Sequence, residues 1–185
     1  VATGYICSEL KITGPNSTLS SGCSSGLDIV NWGYSMIRGG EVDMAVVGCA
    51  DSMIFPFAMS TFCSLGILSK RNEEPEKASR PYDNDRDGLV ASEGGVSIVV
   101  EDLNHALERD ANIYAEIVSY ATACEAQDVF HVELNGKTLF TALKQALING
   151  KIRGDEIDYI CAHGNAITSY DLAETNAFKT FFGDH

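Results

Sequence analysis

Basic residues are scarce in this sequence. Lysine and arginine total 13 of 185 residues, against 26 aspartates and glutamates, which gives a formal net charge of −13 at pH 7. A surface that acidic repels a phosphate backbone, so binding to nucleic acid is not expected. The sequence also lacks an uninterrupted apolar run of about 18 residues, so no membrane-spanning helix is expected.

The cysteines form no C-x-x-C pair, and most of them stand in apolar runs. We therefore expect reduced thiols in an intracellular, cytoplasmic protein and not a disulfide framework. The six are Cys7, Cys23, Cys49, Cys63, Cys124 and Cys161.

The two ends of the sequence lack the usual signals. It begins Val1-Ala2-Thr3, without an initiator methionine or a signal peptide, and it stops at His185, just after a predicted helix. Both ends look cut, so we expect a fragment of a longer protein.

The composition is that of a globular protein, with 45% apolar and 21% charged residues. Apolar residues recur at helical spacing over Ser24–Arg38, and Gly39-Gly40 ends that helix. Further helices are predicted at 55–65, 102–109, 136–149 and 171–182, and strands at 44–49, 96–101, 114–120 and 158–162. Strands that alternate with helices and are apolar on both faces indicate an α/β fold with a sheet covered on both sides.

Cys23 is the first candidate for chemistry. The run GPNSTLSSGCSSG leads into the helix with small residues, and Cys23 sits where the helix begins. Unpaired backbone N–H groups and the helix dipole favour a thiolate there, and the small neighbours let a substrate approach closely. The alternative is a cysteine that only packs in the core.

Ser24 offers a second reading of the same segment. Residues 22–26 match the G-x-S-x-G pattern, which would make Ser24 the nucleophile of a hydrolase. That pattern normally follows a strongly hydrophobic strand, and Ser17–Ser21 is not one.

His163 follows a predicted strand and precedes Gly164. A histidine at the carboxyl end of a buried strand is placed like a catalytic side chain, although a structural histidine held by hydrogen bonds is the alternative. The other three are weaker candidates, because His105 lies on a short surface helix, His131 in a long loop and His185 at the last position.

Two acidic patterns have plain structural explanations. Asp171 and Glu174 have the spacing of a helix N-cap and its N3 partner. Asp83–Gly88 resembles the start of a calcium loop, but Glu93 falls one residue short of the position of the bidentate ligand. We therefore predict no metal site and a salt-bridged turn cluster over Arg80–Gly88.

Together these segments resemble β-ketoacyl-acyl carrier protein synthases, the condensing enzymes of the thiolase superfamily. The separation of 140 residues between Cys23 and His163 fits the elongating type. The matching segments are GPNSTLSSGCSSG, Val46–Asp51, Leu68-Ser69, Arg80–Asp83, Arg86–Gly88, Glu93–Gly95, Ala162–Gly164, Asp171-x-x-Glu174 and Phe182-Gly183.

The resemblance implies a thiolase-like layered α/β/α/β/α fold built from two related halves. Residues 1–112 would be the rest of the N-terminal half, and residues 113–185 would begin a C-terminal half that is incomplete here. It also implies a decarboxylative Claisen condensation of an acyl thioester with a malonyl thioester, in fatty acid or polyketide synthesis. The substrates would be carried on the phosphopantetheine of acyl carrier protein, with no other cofactor, by a homodimer or a ketosynthase heterodimer.

The same resemblance implies roles for single residues. Cys23 would be the acyl-accepting nucleophile, with its own N–H as one oxyanion donor, and His163 would be the first of two catalytic histidines. Phe62 would line the acyl pocket, Asp171 and Glu174 would support the active-site network, and Ala123–Leu134 would gate access of the carrier protein.

Departures from the family pattern leave two other readings open. Asn165 and Ile167 replace threonines that bind the pantetheine arm; Asn165 can still form hydrogen bonds, and the Ile167 side chain cannot. Gly22 replaces the usual alanine, and the family's lysine, second histidine and glycine-rich loop all come after this chain ends. The alternatives are a non-catalytic ketosynthase-like partner subunit and the hydrolase that uses Ser24.

Overall fold

The computed structural model describes residues 2–128 and 131–183. The helices are α1 (Ala2–Leu10), α2 (Ser25–Arg38), α3 (Pro56–Leu65), α4 (Leu103–Glu108), α5 (Lys137–Gly150) and α6 (Thr168–Phe182). The strands are β1 (Met44–Ser52) and β2 (Glu93–Glu101), and short 3-10 turns cover Pro75–Lys77 and Gly154–Glu156. Among the described residues, no helix combines the length and apolar character that a bilayer span requires.

The described residues group into two compact units. One takes residues up to 51 together with 94–117, and the other takes 52–93 and the described residues after 117. The units interleave along the chain, whereas the resemblance implies one division, between residues 112 and 113. That division stays a prediction.

In the first unit, β1 and β2 pair as an antiparallel ribbon. The Asp102 N–H donates to the Asp43 carbonyl at 2.9 Å, and Gly48 lies against Ser97. Because paired positions run in opposite directions along the two strands, the strands are antiparallel. Asp102 also caps α4, as the sequence predicts, since its side chain accepts hydrogen bonds from the backbone of Asn104 and His105.

Helix α2 packs on one face of this ribbon through Gly33. A Cβ at that position would lie 2.7 Å from Val47 Cγ1 and 3.1 Å from Val100 Cγ2, so only glycine allows this approach. Side chains alternate along a strand, so Val46 and Val99 point to the other face, where they are 45% and 54% exposed. The two-stranded ribbon thus keeps exposed apolar side chains, and the prediction of a sheet covered on both faces stays a prediction.

In the second unit, α5 and α6 pack together at Gly136. Its φ is +66°, and an added Cβ would lie 2.2 Å from the Ala173 carbonyl oxygen and 2.7 Å from the Ala177 nitrogen. Ala173 and Ala177 are buried, and the rings of Phe140 and Phe181 lie 5.7 Å apart. Small residues on α6 thus set how closely the start of α5 approaches.

Two predicted strands are wrong. Residues 114–120 and 158–162 are not assigned to a strand, although both are apolar. A strand is defined by its hydrogen-bonded ladder with a neighbour, and apolar composition alone does not supply that neighbour. Helix α6 also begins at Thr168, three residues before the predicted start at Asp171, and α1 was not predicted from the sequence.

Candidate active site

Cys23 lies immediately before the N-cap of α2. The helix begins at Ser25 with Ser24 as its N-cap, and the cysteine itself is exposed. Ser25 turns the chain by donating from its N–H to the Gly22 carbonyl at 3.2 Å and from its hydroxyl to the same oxygen at 2.7 Å. The predicted position of Cys23 beside a helix N-terminus is therefore confirmed, while its catalytic role stays a prediction.

Gly22 accounts for one departure from the family pattern. Its φ is +70°, a left-handed conformation, and a Cβ built there would meet nothing within 4 Å. The space would admit alanine, so the reason for glycine is the backbone conformation just before Cys23.

The hydroxyl of Ser24 is directed at a carboxylate. It donates to Asp28 Oδ2 at 2.9 Å and lies 3.2 Å from the Ser21 carbonyl. A serine nucleophile needs a base such as histidine in hydrogen-bonding contact. The partners that the described residues give to Ser24 are Ser21 and Asp28, which weakens the hydrolase reading.

In the second unit, the backbone around His163 is held by Glu174. The N–H groups of His163 and Gly164 donate to its two carboxylate oxygens at 2.7 and 3.0 Å. Gly164 has a φ of +46°, and a Cβ there would lie 3.1 Å from the Tyr82 ring. The histidine therefore stands on a loop whose backbone is fixed from α6.

Asp171 holds the other end of the same loop. Its carboxylate accepts hydrogen bonds from the N–H groups of Ala166 at 3.2 Å and Tyr82 at 2.8 Å, and it pairs with Arg86 Nε at 3.3 Å. Asp171 is 1% and Glu174 is 8% exposed. The N-cap interpretation of this pair is wrong, because Ile167 is the N-cap of α6. The two carboxylates bind the backbone of the His163 loop instead.

The hydroxyl of Tyr82 donates to Glu174 Oε2. Burial, together with this hydrogen bond and the charge of Glu174, raises the pKa of Tyr82 well above its usual value. The phenol therefore stays protonated and keeps donating. Tyr82 itself has a φ of +63°, a conformation that costs a non-glycine residue about 1–2 kcal/mol.

The segment Arg80–Gly88 is the salt-bridged turn that the sequence predicts. Arg80 pairs with Asp83 at 2.9 Å, and Arg86 Nη1 donates to the Asp83 carbonyl at 2.6 Å. The described residues contain no group of three or more side chains suited to hold a metal ion. Arg86 joins this turn to α6 through Asp171, so the turn supports the His163 loop.

Asn165 contacts the imidazole of His163 directly. Its Nδ2 lies 3.1 Å from His163 Nε2, and its Oδ1 accepts from the Ile167 N–H at 2.9 Å. From the sequence, Asn165 is expected only to bind substrate, and its contact with His163 is not predicted. Ile167 lines a cavity of about 390 Å³ in the same unit, with Leu134 and Leu172 among its walls.

Phe62 and the predicted gating loop also belong to the second unit. Phe62 is half-buried on α3. Near the end of the loop, Glu133 accepts from the Thr138 hydroxyl at 3.0 Å, and the Leu134 carbonyl accepts from Asn176 at 2.8 Å. Residues 129 and 130 of this loop, and His185, lie outside the described residues, and the roles of Phe62 and the loop stay predictions.

The structure thus brings five of the seven candidate residues into one network in the second unit. They are His163, Asn165, Ile167, Asp171 and Glu174. Residues 1–106 match the family model for the beta-ketoacyl synthase N-terminal domain, and residues 114–185 match the model for the C-terminal domain. The chain belongs to the beta-ketoacyl synthase family.

Relatives of this chain include polyketide beta-ketoacyl synthases and 3-oxoacyl-acyl-carrier-protein synthases. Oxytetracycline polyketide putative beta-ketoacyl synthase 1 of Streptomyces rimosus is 38% identical over 172 residues, covering 93% of this chain and 40% of the relative. The 3-oxoacyl-acyl-carrier-protein synthase 2 of Coxiella burnetii is 35% identical over 185 residues, covering all of this chain and 45% of the relative. The chain therefore spans less than half the length of these relatives.

Solved structures agree with this family. A type II polyketide ketosynthase in complex with its acyl-carrier protein, bound to the hexaketide, matches with a TM-score of 0.96 at 30% identity, covering 99% of this chain and 45% of that one. The ishigamide ketosynthase/chain length factor matches with a TM-score of 0.87 at 32% identity, covering 98% and 43%. The predicted fold class, the α/β fold of the thiolase superfamily, is confirmed.

Proposed function

We propose that this chain is part of an acyl-carrier-protein-dependent condensing enzyme that joins an acyl thioester to a malonyl thioester. The observation that carries the proposal is the family match across both halves, with Cys23 in the N-terminal match and His163 in the C-terminal match. The relatives named above are a polyketide beta-ketoacyl synthase and a 3-oxoacyl-acyl-carrier-protein synthase, which supports the same reaction class.

Cys23 would start the reaction by attacking the acyl thioester on the phosphopantetheine arm. A new thioester forms at its sulfur, and the carrier thiolate leaves and takes up a proton. The bond between the malonyl α-carbon and its carboxylate then breaks and CO₂ leaves, and the electron pair that stays on the α-carbon attacks the acyl group on Cys23. The cysteine thiolate leaves, and the product remains on the carrier.

His163 would act in the decarboxylation step. A histidine there could donate a hydrogen bond to the enolate oxygen, or it could activate a water against the malonyl carboxylate. The buried carboxylates of Asp171 and Glu174 would keep its loop in place. No cofactor beyond the phosphopantetheine of the carrier is proposed.

The proposed partners are an acyl carrier protein and a second ketosynthase subunit, either a copy of the same protein or a related one. Support comes from the neighbours, one of which is a ketosynthase in complex with its acyl-carrier protein and another a ketosynthase/chain length factor. The non-catalytic partner subunit is the alternative, and the presence of both Cys23 and His163 argues against it.

Three variants of the complete protein test the function, assayed with acyl- and malonyl-carrier proteins. Cys23→Ala should lose condensation and retain decarboxylation of the malonyl thioester, because the acyl acceptor is gone. His163→Ala should slow decarboxylation by about 100-fold or more. Ser24→Ala is the matched control and should keep the wild-type rate; loss of activity in Ser24→Ala with wild-type condensation in Cys23→Ala would overturn the proposal.

A further inference from the structure

The orientation of the Asn165 side-chain amide is determined by its neighbours. A backbone N–H can only donate, so the atom of Asn165 that lies 2.9 Å from the Ile167 nitrogen must be the oxygen. The amide nitrogen therefore faces the other way, where it lies 3.1 Å from His163 Nε2. An amide nitrogen has two hydrogens and no acceptor capacity.

It follows that His163 Nε2 accepts this hydrogen bond. A neutral imidazole carries one proton, so if Nε2 accepts, the proton is on Nδ1. We infer that Asn165 is a positioning residue that holds His163 in the Nδ1–H form, with the lone pair on Nε2. In the Nε2–H form, two donors would face each other across this contact.

The surrounding contacts fix the backbone that carries His163 and Asn165. Glu174 holds the N–H groups of His163 and Gly164, and Asp171 holds that of Ala166. The backbone on both sides of Asn165 is thus fixed by carboxylates that are 92% or more buried, since their exposed fractions are 1% and 8%.

The consequence for catalysis rests on the proposed function. Donation from Nε2 to an enolate oxygen requires the Nε2–H form, which Asn165 opposes. Activation of a water requires a lone pair on Nε2, and a water that takes the place of the amide would find it there. Of the two roles open to His163, the one as proton acceptor fits the form that Asn165 selects.

The test is the ¹⁵N NMR spectrum of the His163 imidazole in the complete protein, at a pH where the ring is neutral, with the signals assigned by their loss in His163→Gln. We expect a pyridine-type shift for Nε2 and a pyrrole-type shift for Nδ1. Asn165→Asp should reverse the two, because one oxygen can still accept from Ile167 while the other faces Nε2 and favours Nε2–H.

Asn135→Asp is a matched control. Asn135 is exposed, and its Oδ1 accepts from the Lys137 N–H at 2.9 Å, the same local geometry two residues along the chain. This variant should leave the His163 shifts unchanged. In the decarboxylation assay, Asn165→Asp should lower kcat by about 10-fold or more with a smaller change in KM.

A pyrrole-type Nε2 in the wild-type protein, or unchanged shifts in Asn165→Asp, would overturn the inference. The wild-type spectrum decides the matter even if the variant does not fold. The spectrum does not depend on turnover. A protein that shows the expected shifts but does not decarboxylate malonyl thioesters would therefore contradict the proposed function and still support the inferred tautomer of His163.

Discussion

At the scale of the residue, two buried carboxylates organise the candidate site. Asp171 and Glu174 accept hydrogen bonds from three backbone N–H groups between His163 and Ala166, and they also contact Tyr82 and Arg86. A buried carboxylate is stable only where donors and an opposite charge compensate for its lost hydration. The turn Arg80–Gly88 supplies that compensation and so belongs to the support of the His163 loop.

Asp171→Asn tests this support. The substitution removes the charge that Arg86 faces, in a pair whose side chains are 1% and 15% exposed. We expect the free energy of unfolding of the complete protein to fall by about 3 kcal/mol, because breaking a buried pair leaves a charge uncompensated. Urea unfolding measures it.

The control is Asp155→Asn. Asp155 pairs with Arg153, and both side chains are more than two-thirds exposed. Its loss should cost less than about 1 kcal/mol. Equal losses in the two variants would contradict the role assigned to Asp171.

At the scale of the element, periodicity located the helices better than the strands. Helices α2, α5 and α6 appear within a few residues of their predicted bounds, because an apolar stripe and a terminal glycine are local signals. Residues 114–120 and 158–162 carry the apolar composition of strands but no assigned ladder, since pairing depends on residues far away in sequence.

The candidate site, too, has features that the sequence predicted and features that only the structure shows. Cys23 and His163 stood out because of their residue type and position beside predicted elements. Two features depend on the conformation of the loop, which the spacing of residues along the sequence does not reveal. They are the contact between Asn165 and His163 and the hydrogen bonds that the backbone donates to Glu174. The resemblance named Asp171 and Glu174 as supporting residues without saying what they hold.

Gly136→Ala tests the junction of α5 and α6. Alanine there would have a left-handed φ, and its Cβ would lie 2.2 Å from a backbone oxygen of α6. Gly40 has a similar φ of +70°, and an added Cβ there would meet nothing within 4 Å. Gly40→Ala should therefore lose only the stability that the left-handed conformation costs alanine, about 1–2 kcal/mol. In denaturant unfolding, Gly136→Ala should lose at least twice as much stability as Gly40→Ala; similar losses would mean that the two helices can move apart freely.

The end of β2 offers a test by pH. Arg109 donates to Glu101 from Nε and Nη2 at 2.7 Å each, and His105 also contacts this carboxylate. These contacts lower the pKa of Glu101 from 4.5 to about 2, and the hydrogen bonds from Arg109 have the largest effect. Because the folded carboxylate binds a proton less readily than the unfolded one, its contribution is full above pH 4.5 and is lost as the pH falls toward 2.

The measurement compares unfolding free energy against pH for the wild type and Glu101→Gln. Their difference should shrink as the pH falls through that window. Glu9→Gln on α1 serves as a control for removal of one exposed negative charge. A difference that stays constant with pH would contradict the assignment.

At the scale of the whole molecule, the described chain leaves much apolar surface uncovered. Large exposed side chains occur on helices and strands alike, including Leu27, Val46, Val96, Ile98, Val99 and Leu103. Uncovered sheet faces of this kind favour association with other chains.

The 185-residue chain expressed alone should therefore be insoluble or molten. It should bind a hydrophobic dye such as ANS, unfold without a cooperative transition and fail to decarboxylate malonyl thioester. The complete protein is the control and should show a cooperative transition with little dye binding. A cooperatively unfolding chain that binds no dye would refute this prediction.

We propose above all that Cys23 accepts the acyl group. The most direct measurement is peptide mass spectrometry of the complete protein after incubation with an acylated carrier protein and no malonyl substrate. We expect one acyl adduct, on the peptide that contains Cys23 and Ser24. It should be labile to hydroxylamine as a thioester, absent in Cys23→Ala and present in Ser24→Ala. An adduct that persists in Cys23→Ala, or that maps to Ser24 or to another cysteine, would contradict it.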